Sequence, residues 1–285
     1  MQERLQKAAQ IYPKVNVPTL SEEVLLLKAE LEKPYPNTVT IANLIAHNSE
    51  LLGDFLALAN SNVTQHKHEI KEAKTAVNLL GLDEISNLFV SASLKKAVSQ
   101  NAIEQEILAH GSKAGIAASE LSFWVYEVSR SEAYMAGLMQ NLGALFLSRL
   151  NPQAYILRFR QHLAHPIESL EEEAEMYGTT HVHLGALIAK KWRLDDTLCK
   201  TILMHHDTAL LKTANSQNKI RQMVALIMAA NFAVATADDT HITQELKQYK
   251  EMAFDALNLP ENALTAASAA VVKWGHAMGT APGGH

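Results

Sequence analysis

The apolar residues of this chain recur three and four positions apart, a period that builds helices and does not build sheets. Val24, Leu27 and Leu31 fall on one helical face, and Val39, Ile41, Leu44 and Ile45 are expected to form the buried side of the next helix. No segment alternates apolar and polar residues as a half-buried strand does. Side chains able to accept from free backbone N–H groups mark the helix starts. Thr19 with Glu22, and Ser169 with Glu172, have the spacing of a capping box. Asn37, Ser49 and Asp83 read as further N-caps. Gly81 and Gly178 read as helix ends, Gly81 in the left-handed conformation. One long helix is expected over 132–150, stopped by Asn151-Pro152, with Gly137 and Gly143 inside it for close helix packing. Later helices are expected over 181–192, 196–206, 220–237, 243–257 and 262–278, before a loose GTAPGGH tail.

The pattern pauses near residues 99–101. The expected architecture is therefore all-α and two-lobed, with an N-terminal helical lobe over 1–100 and a helical bundle with extra C-terminal helices over 101–285. Only 12 Gly and 8 Pro in 285 residues favour helices over a turn-rich chain, and 48% apolar residues argue against disorder. A formal charge of −5 carries no basic footprint for nucleic acid. Cys199 is the only cysteine and reads as a core residue, so no intrachain disulfide forms. The N-terminus MQERLQKAAQ lacks an apolar leader, and the longest apolar run, 224–237, is interrupted by Asn231 and shorter than a bilayer span. A cytoplasmic protein without a membrane partner is expected.

Chemistry rests on histidine. Of the 13, His47, His66, His68, His162, His165, His241 and His285 lie near helix ends or in polar context and read as solvated. His110, His181, His205 and His206 fall within or beside apolar helices. Neutral imidazole suits zinc, iron or nickel. Adjacent residues point about 100° apart on a helix, so His205 and His206 share a pocket only at a helix junction. Their spacing is scattered and forms no short metal motif, so spacing alone favours hydrogen-bonded core or interface histidines. Glu106 shares a helix face with His110, as a ligand pair or a surface hydrogen bond. The acidic run Glu171, Glu172, Glu173 and Glu175 reads as a solvated face. No phosphate-binding Gly-rich loop or nucleophile elbow is present.

The ordered series VPTLSEEVLLL (17–27), LLGDFLALANS (51–61), AVNLLGLDEISNLF (76–89), AYMAGLMQNLGALFL (133–147), THVHLGALIAKKWRLDD (180–196) and ILMHH (202–206) resembles HDOD domains. The resemblance runs from about Leu5 to Ala235. It implies an HD-like helical domain, related to the HD and HD-GYP metal-dependent phosphohydrolases. It places His110 at the first histidine ligand, and His181, His205 and His206 at the later ones. Gln140 and Asn141 stand where the hydrolases have an adjacent His-Asp pair, Ala144 where HD-GYP enzymes have a lysine, and Asn231 at the final aspartate. No anionic ligand remains at the matched positions; Glu106 is the nearest acidic candidate. The resemblance thus implies a regulatory or scaffold module of bacterial signal transduction on a degenerate site, with signalling proteins or a small ligand as partners. The alternatives are a metal-dependent phosphohydrolase acting on a nucleotide or cyclic dinucleotide, and a small-molecule sensor using the vestigial pocket. At most one transition-metal ion (Zn, Fe or Ni) is expected.

Overall fold

The computed structural model describes residues 1–61, 63–64, 68–98, 101–213 and 218–275. Residues 99 and 100, where the pattern pauses, lie outside the described residues, as do His66, His285, Met278 and the tail. The described residues are all-α and contain no strand. The first half comprises α1 (Gln2–Ile11), α2 (Glu22–Leu31), α3 (Thr38–His47), α4 (Ser49–Ala59), α5 (Ala73–Leu79) and α6 (Leu82–Val98). There follow α7 (Ala102–Leu121), α8 (Arg130–Met139), α9 (Leu142–Leu147), α10 (Pro152–Ala164), α11 (Glu168–Tyr177) and α12 (His181–Lys191). The chain closes with α13 (Asp196–Met204), α14 (Thr208–Leu211), α15 (Lys219–Ala237), α16 (Gln244–Leu257) and α17 (Glu261–Trp274).

Caps fix most of these starts. Asn37 accepts from the Val39 and Thr40 N–H groups, both at 3.0 Å, as its sequence position suggests. Elsewhere the expected cap shifts. Ser21, not Thr19, caps α2, and Asn48, not Ser49, caps α4. Asp83 lies in the first turn of α6 rather than capping it. Gly178 ends α11 with φ +70°, whereas Gly81 does not adopt positive φ. Ser169 does not cap α11; its hydroxyl donates to the His165 carbonyl. The capping box that does form is Ser129 with Glu132, at the start of α8.

The helix expected over 132–150 is two helices, broken at Gln140 and Asn141. Asn141 has φ −97° and ψ 18°, which interrupts the hydrogen-bond ladder where both amide side chains turn aside. Glycine sets the spacing on either side. A Cβ on Gly137 would lie 2.6 Å from the Gly115 nitrogen, so α8 meets α7 backbone to backbone. A Cβ on Gly143 would collide with the His181 carbonyl oxygen and lie 2.6 Å from the Gly185 nitrogen. That contact seats α9 directly on the first turn of α12.

The helix α15 forms the centre of the later bundle. By length and composition alone it could cross a membrane, but 61% of its most apolar window is buried inside the protein, as in a core helix. Arg221 at its start is buried and donates to the Leu211 and Ala256 carbonyls, tying α14 and α16 to it. Arg149 joins distant segments. Its guanidinium pairs with buried Glu104 at 2.9 and 3.2 Å and donates to the Val15 and Asn16 carbonyls. The first helix packs on α12, helped by the Thr179 hydroxyl donating to the Arg4 carbonyl at 2.8 Å.

Two glycine substitutions separate packing from helix propensity. Gly143→Ala overpacks the α9–α12 contact and is expected to cost about 3 kcal/mol or more. Gly53, exposed within α4, has open space for 4 Å around the position a Cβ would take, so Gly53→Ala is expected to stabilise by about 0.5–1 kcal/mol. Urea denaturation of both variants checks the opposite signs.

Candidate metal centre

Helices from across the second half deliver one cluster of buried imidazoles. His162 comes from α10, His181 opens α12, and His205 and His206 follow α13. All four are buried, His205 at 0% and His181 at 1% exposure, with His206 the most exposed at 8%. The ring contacts are tight: His205 and His206 centroids are 4.0 Å apart, and His162 and His206 centroids 4.5 Å. Tyr249 reaches the cluster from α16.

The hydrogen bonds fix where the protons go. The His181 Nδ1–H donates to Glu173 Oε2 at 2.8 Å. The His205 Nδ1–H donates to the Ile202 carbonyl, also at 2.8 Å. The Tyr249 hydroxyl spends its hydrogen on the His205 carbonyl at 2.6 Å, so its oxygen accepts from His206 Nδ1–H at 3.1 Å. The Ser169 hydroxyl spends its hydrogen on the His165 carbonyl, so its oxygen accepts from His162 Nδ1–H at 2.7 Å. Every Nδ1 proton therefore points out of the cluster and every Nε2 points into it. Nε2 of His181 lies 3.4 Å from that of His205 and 3.3 Å from that of His206, and His162 Nε2 lies 2.9 Å from His206 Nε2.

Lone pairs facing one another at such distances repel unless a cation lies among them. Bonds of about 2.0–2.1 Å from one tetrahedral zinc ion place its nitrogen ligands about 3.3 Å apart. The ligand atoms of His162, His181 and His206 all lie within 4.8 Å of one another, with His205 adjoining through His181. The cluster is compatible with one transition-metal ion. Outward hydrogen bonds of this kind set the tautomer and aim of metal-binding imidazoles.

Burial controls the electrostatics. It holds the His205 imidazole at a pKa of about 3 and those of His162 and His206 well below the usual range, with neighbouring histidines adding to the effect. These three rings are neutral at pH 7, the form a metal needs. Burial pushes the Glu173 carboxyl up, but His181, the Tyr155 hydroxyl and the His181 N–H outweigh it and hold the carboxyl below its ordinary value. Glu173 accepts from Tyr155 at 2.6 Å and from the His181 backbone N–H at 2.7 Å, on the side of the ring away from the cluster.

The remaining sequence candidates lie beside this cluster. His110 does not join the mutually close set; its Nδ1 sits 3.4 Å from the Asn141 amide nitrogen, and its ring stands edge-on to Phe159. Gln140 and Asn231 pair with each other through two reciprocal amide hydrogen bonds, both 2.9 Å. Glu106 is held by Arg160 through two contacts of 2.7 Å. Two residues depart from the sequence reading. His162 is buried in the cluster rather than solvated, and Glu173 is buried while Glu171, Glu172 and Glu175 are exposed. A signal for His162 exists: with Tyr155, Ile156 and Phe159 it completes a buried stripe at helical spacing.

Residues 17–208 match the model of the HDOD domain, and the chain belongs to that family. An uncharacterized protein of Treponema pallidum (strain Nichols) is 22% identical over 234 residues, covering 81% of this chain and 45% of that protein. The chain thus spans about half the length of the curated relative it matches. Among solved structures, an HDOD domain protein of unknown function from Geobacter sulfurreducens superposes with TM-score 0.69 at 20% identity, covering 98% of this chain and 96% of that one. A provisionally assigned phosphohydrolase from Shewanella amazonensis SB2B gives 0.66 at 19% identity, over 94% and 96% of the two chains. A provisionally assigned signal transduction protein from Marinobacter aquaeolei VT8 gives 0.61 at 18% identity, over 93% of this chain and 58% of that one. At these identities the likeness establishes the fold.

Two outcomes follow from the proton arrangement. His162, His205 and His206 have folded pKa values below the unfolded value of about 6.5. The unfolded chain therefore takes up protons first as pH falls, and stability present above about 6.5 is lost below it, by up to about 1.4 kcal/mol per pH unit for each ring. Urea denaturation of metal-free protein at a series of pH values between 7.5 and 5 measures that slope. Glu173→Gln is expected to weaken zinc binding about 10–100-fold, read by competition with a chelating dye.

Proposed function

We propose that this HDOD-family chain is a non-catalytic regulatory or scaffold module of bacterial signal transduction, acting in the cytoplasm through protein partners or a small ligand. The observation that carries the reading is the Gln140–Asn231 amide pair. The family resemblance puts a histidine and an aspartate of the hydrolase site at these positions. Here each amide satisfies the donor and acceptor of the other, and neither carries charge. Asn141, at the matched position of the bridging aspartate, is neutral and turned to His110. An aspartate that bridges two ions helps charge and orient the attacking hydroxide, and an amide cannot.

The buried imidazole cluster fits one ion. His162, His181 and His206 would hold it, with His205 beside them. A bound transition metal supplies Lewis acidity and lowers the pKa of a bound water. The chain's own contribution is to orient the rings from outside and to bury them. Among the described residues, the two candidate carboxylates are engaged elsewhere: Glu173 lies behind His181 on its Nδ1 side, and Glu106 pairs with Arg160. The competing reading, a metal-dependent phosphohydrolase, draws support from the retained imidazoles and from the Shewanella relative's provisional assignment. The Marinobacter relative's assignment favours signalling.

The full chain, supplied with zinc, manganese or iron, is expected to leave cyclic dinucleotides intact over hours in a chromatographic assay. Metal-dependent hydrolysis that disappears in a His205→Ala/His206→Ala double variant would overturn the reading. Single variants are less informative, because residues of one site act as a unit.

A further inference from the structure

A cavity of about 410 Å³ opens beside the amide pair, between α7, α10, α15 and the segment leading into α16. That volume lies in the range of small-molecule sites. Its inner wall is apolar and anchored in the core: Phe159, Val234 and Leu246 line it and are each no more than 2% exposed. Leu163 and Ala235 extend that wall. Its charged residues are already matched. Lys113 pairs with both Asp238 oxygens at 2.6 and 2.8 Å, and Arg160 holds Glu106 through two contacts of 2.7 Å. A charged ligand would have to break one of these pairs and lose its own hydration, a double cost. An uncharged ligand breaks nothing.

Of the uncharged polar side chains in the wall, Asn231 pairs with Gln140 and the Thr240 hydroxyl donates to the Ala235 carbonyl, while the exposed His241 sits at the rim and His110 faces a ligand from within. The Asn141 amide nitrogen can only donate, so His110 Nδ1 accepts from it and the neutral ring carries its proton on Nε2. Burial keeps the ring neutral, with a pKa of about 4. The edge-on contact with Phe159 fixes the ring plane.

We propose that this cavity binds a small, uncharged, largely apolar molecule with one carbonyl-type acceptor, to which His110 Nε2–H donates. The proposal rests on the non-catalytic reading only in that the ligand is held and not turned over. Occupancy would bridge α7, α10 and α15, the helices that also position His162 and Asn231. It thereby gives the module an input at the margin of the histidine cluster.

Benzophenone has the required chemistry, two apolar rings and one ketone, and near-ultraviolet light couples it to adjacent C–H bonds. With this chain, the expected result is saturable labelling confined to peptides carrying 106–113, 159–164 and 231–246. Diphenylmethane, which lacks the ketone, should compete about fivefold less well, the worth of one hydrogen bond. His110→Phe should remove that difference. Ala235→Trp and, independently, Leu163→Trp fill the cavity and should abolish the labelling, with circular dichroism and melting confirming a folded protein. Labelling that does not saturate, that scatters over the surface, or that persists in a folded filled-cavity variant would overturn the proposal. The readout needs no turnover, so hydrolysis in the separate nucleotide assay would remove the non-catalytic reading and leave the binding result standing.

Discussion

Each of four buried imidazoles sends its Nδ1 proton outward to an oxygen that the fold holds in place: a carboxylate, a carbonyl, a tyrosine and a serine. A buried donor without an acceptor costs about 1–3 kcal/mol, so these oxygens are conditions of the folded state and not embellishments of it. They come from different parts of the chain. Glu173 and Ser169 lie on α11, Ile202 on α13 and Tyr249 on α16. The Gly143 contact then sets how closely α9 approaches His181. Helix packing and tautomer selection are therefore one problem in this protein. The same packing that satisfies the Nδ1 atoms leaves the Nε2 atoms facing one another.

The polar side chains buried around α9, α12 and α15 fall into two sets. On one side, imidazoles keep a donor set suited to a borderline metal, with Glu173 behind His181 as an orienting carboxylate. On the other, Gln140 and Asn231 have closed on each other, and Asn141 serves His110. A charge lost at one of two facing positions would leave its partner buried and unmatched. A neutral amide at both positions makes a mutually satisfied pair.

Much of the fold is legible in the sequence because its determinants are local. Asn37 and Gly178 act where their residue types predict, and Gly137 and Gly143 mark close backbone contacts. The errors have local causes too. Neighbouring polar residues compete for one cap, so Ser21 displaced Thr19 and Asn48 displaced Ser49. The break at Gln140–Asn141 has no Pro or Gly to announce it, because the pull on Gln140 comes from Asn231 on another helix. His162 and Glu173 were hidden by their neighbours: arginines flank the first, and exposed glutamates the second. Their burial depends on which face of α10 or α11 meets α12, and that is a tertiary fact. The family resemblance points to His110, His181, His205 and His206; the last three meet His162 in one cluster, and His110 stays outside it against Asn141.

A single ion held with the participation of His162 is what the imidazole cluster is built to accept. Cobalt(II) titration of the purified, metal-free chain, followed by visible absorption, counts ions and reports their ligands at once. One equivalent should bind, with a spectrum of tetrahedral or five-coordinate nitrogen and oxygen ligation, and His162→Ala should lose or markedly alter it. Two equivalents, or a single equivalent whose spectrum His162→Ala leaves unchanged, would contradict the account.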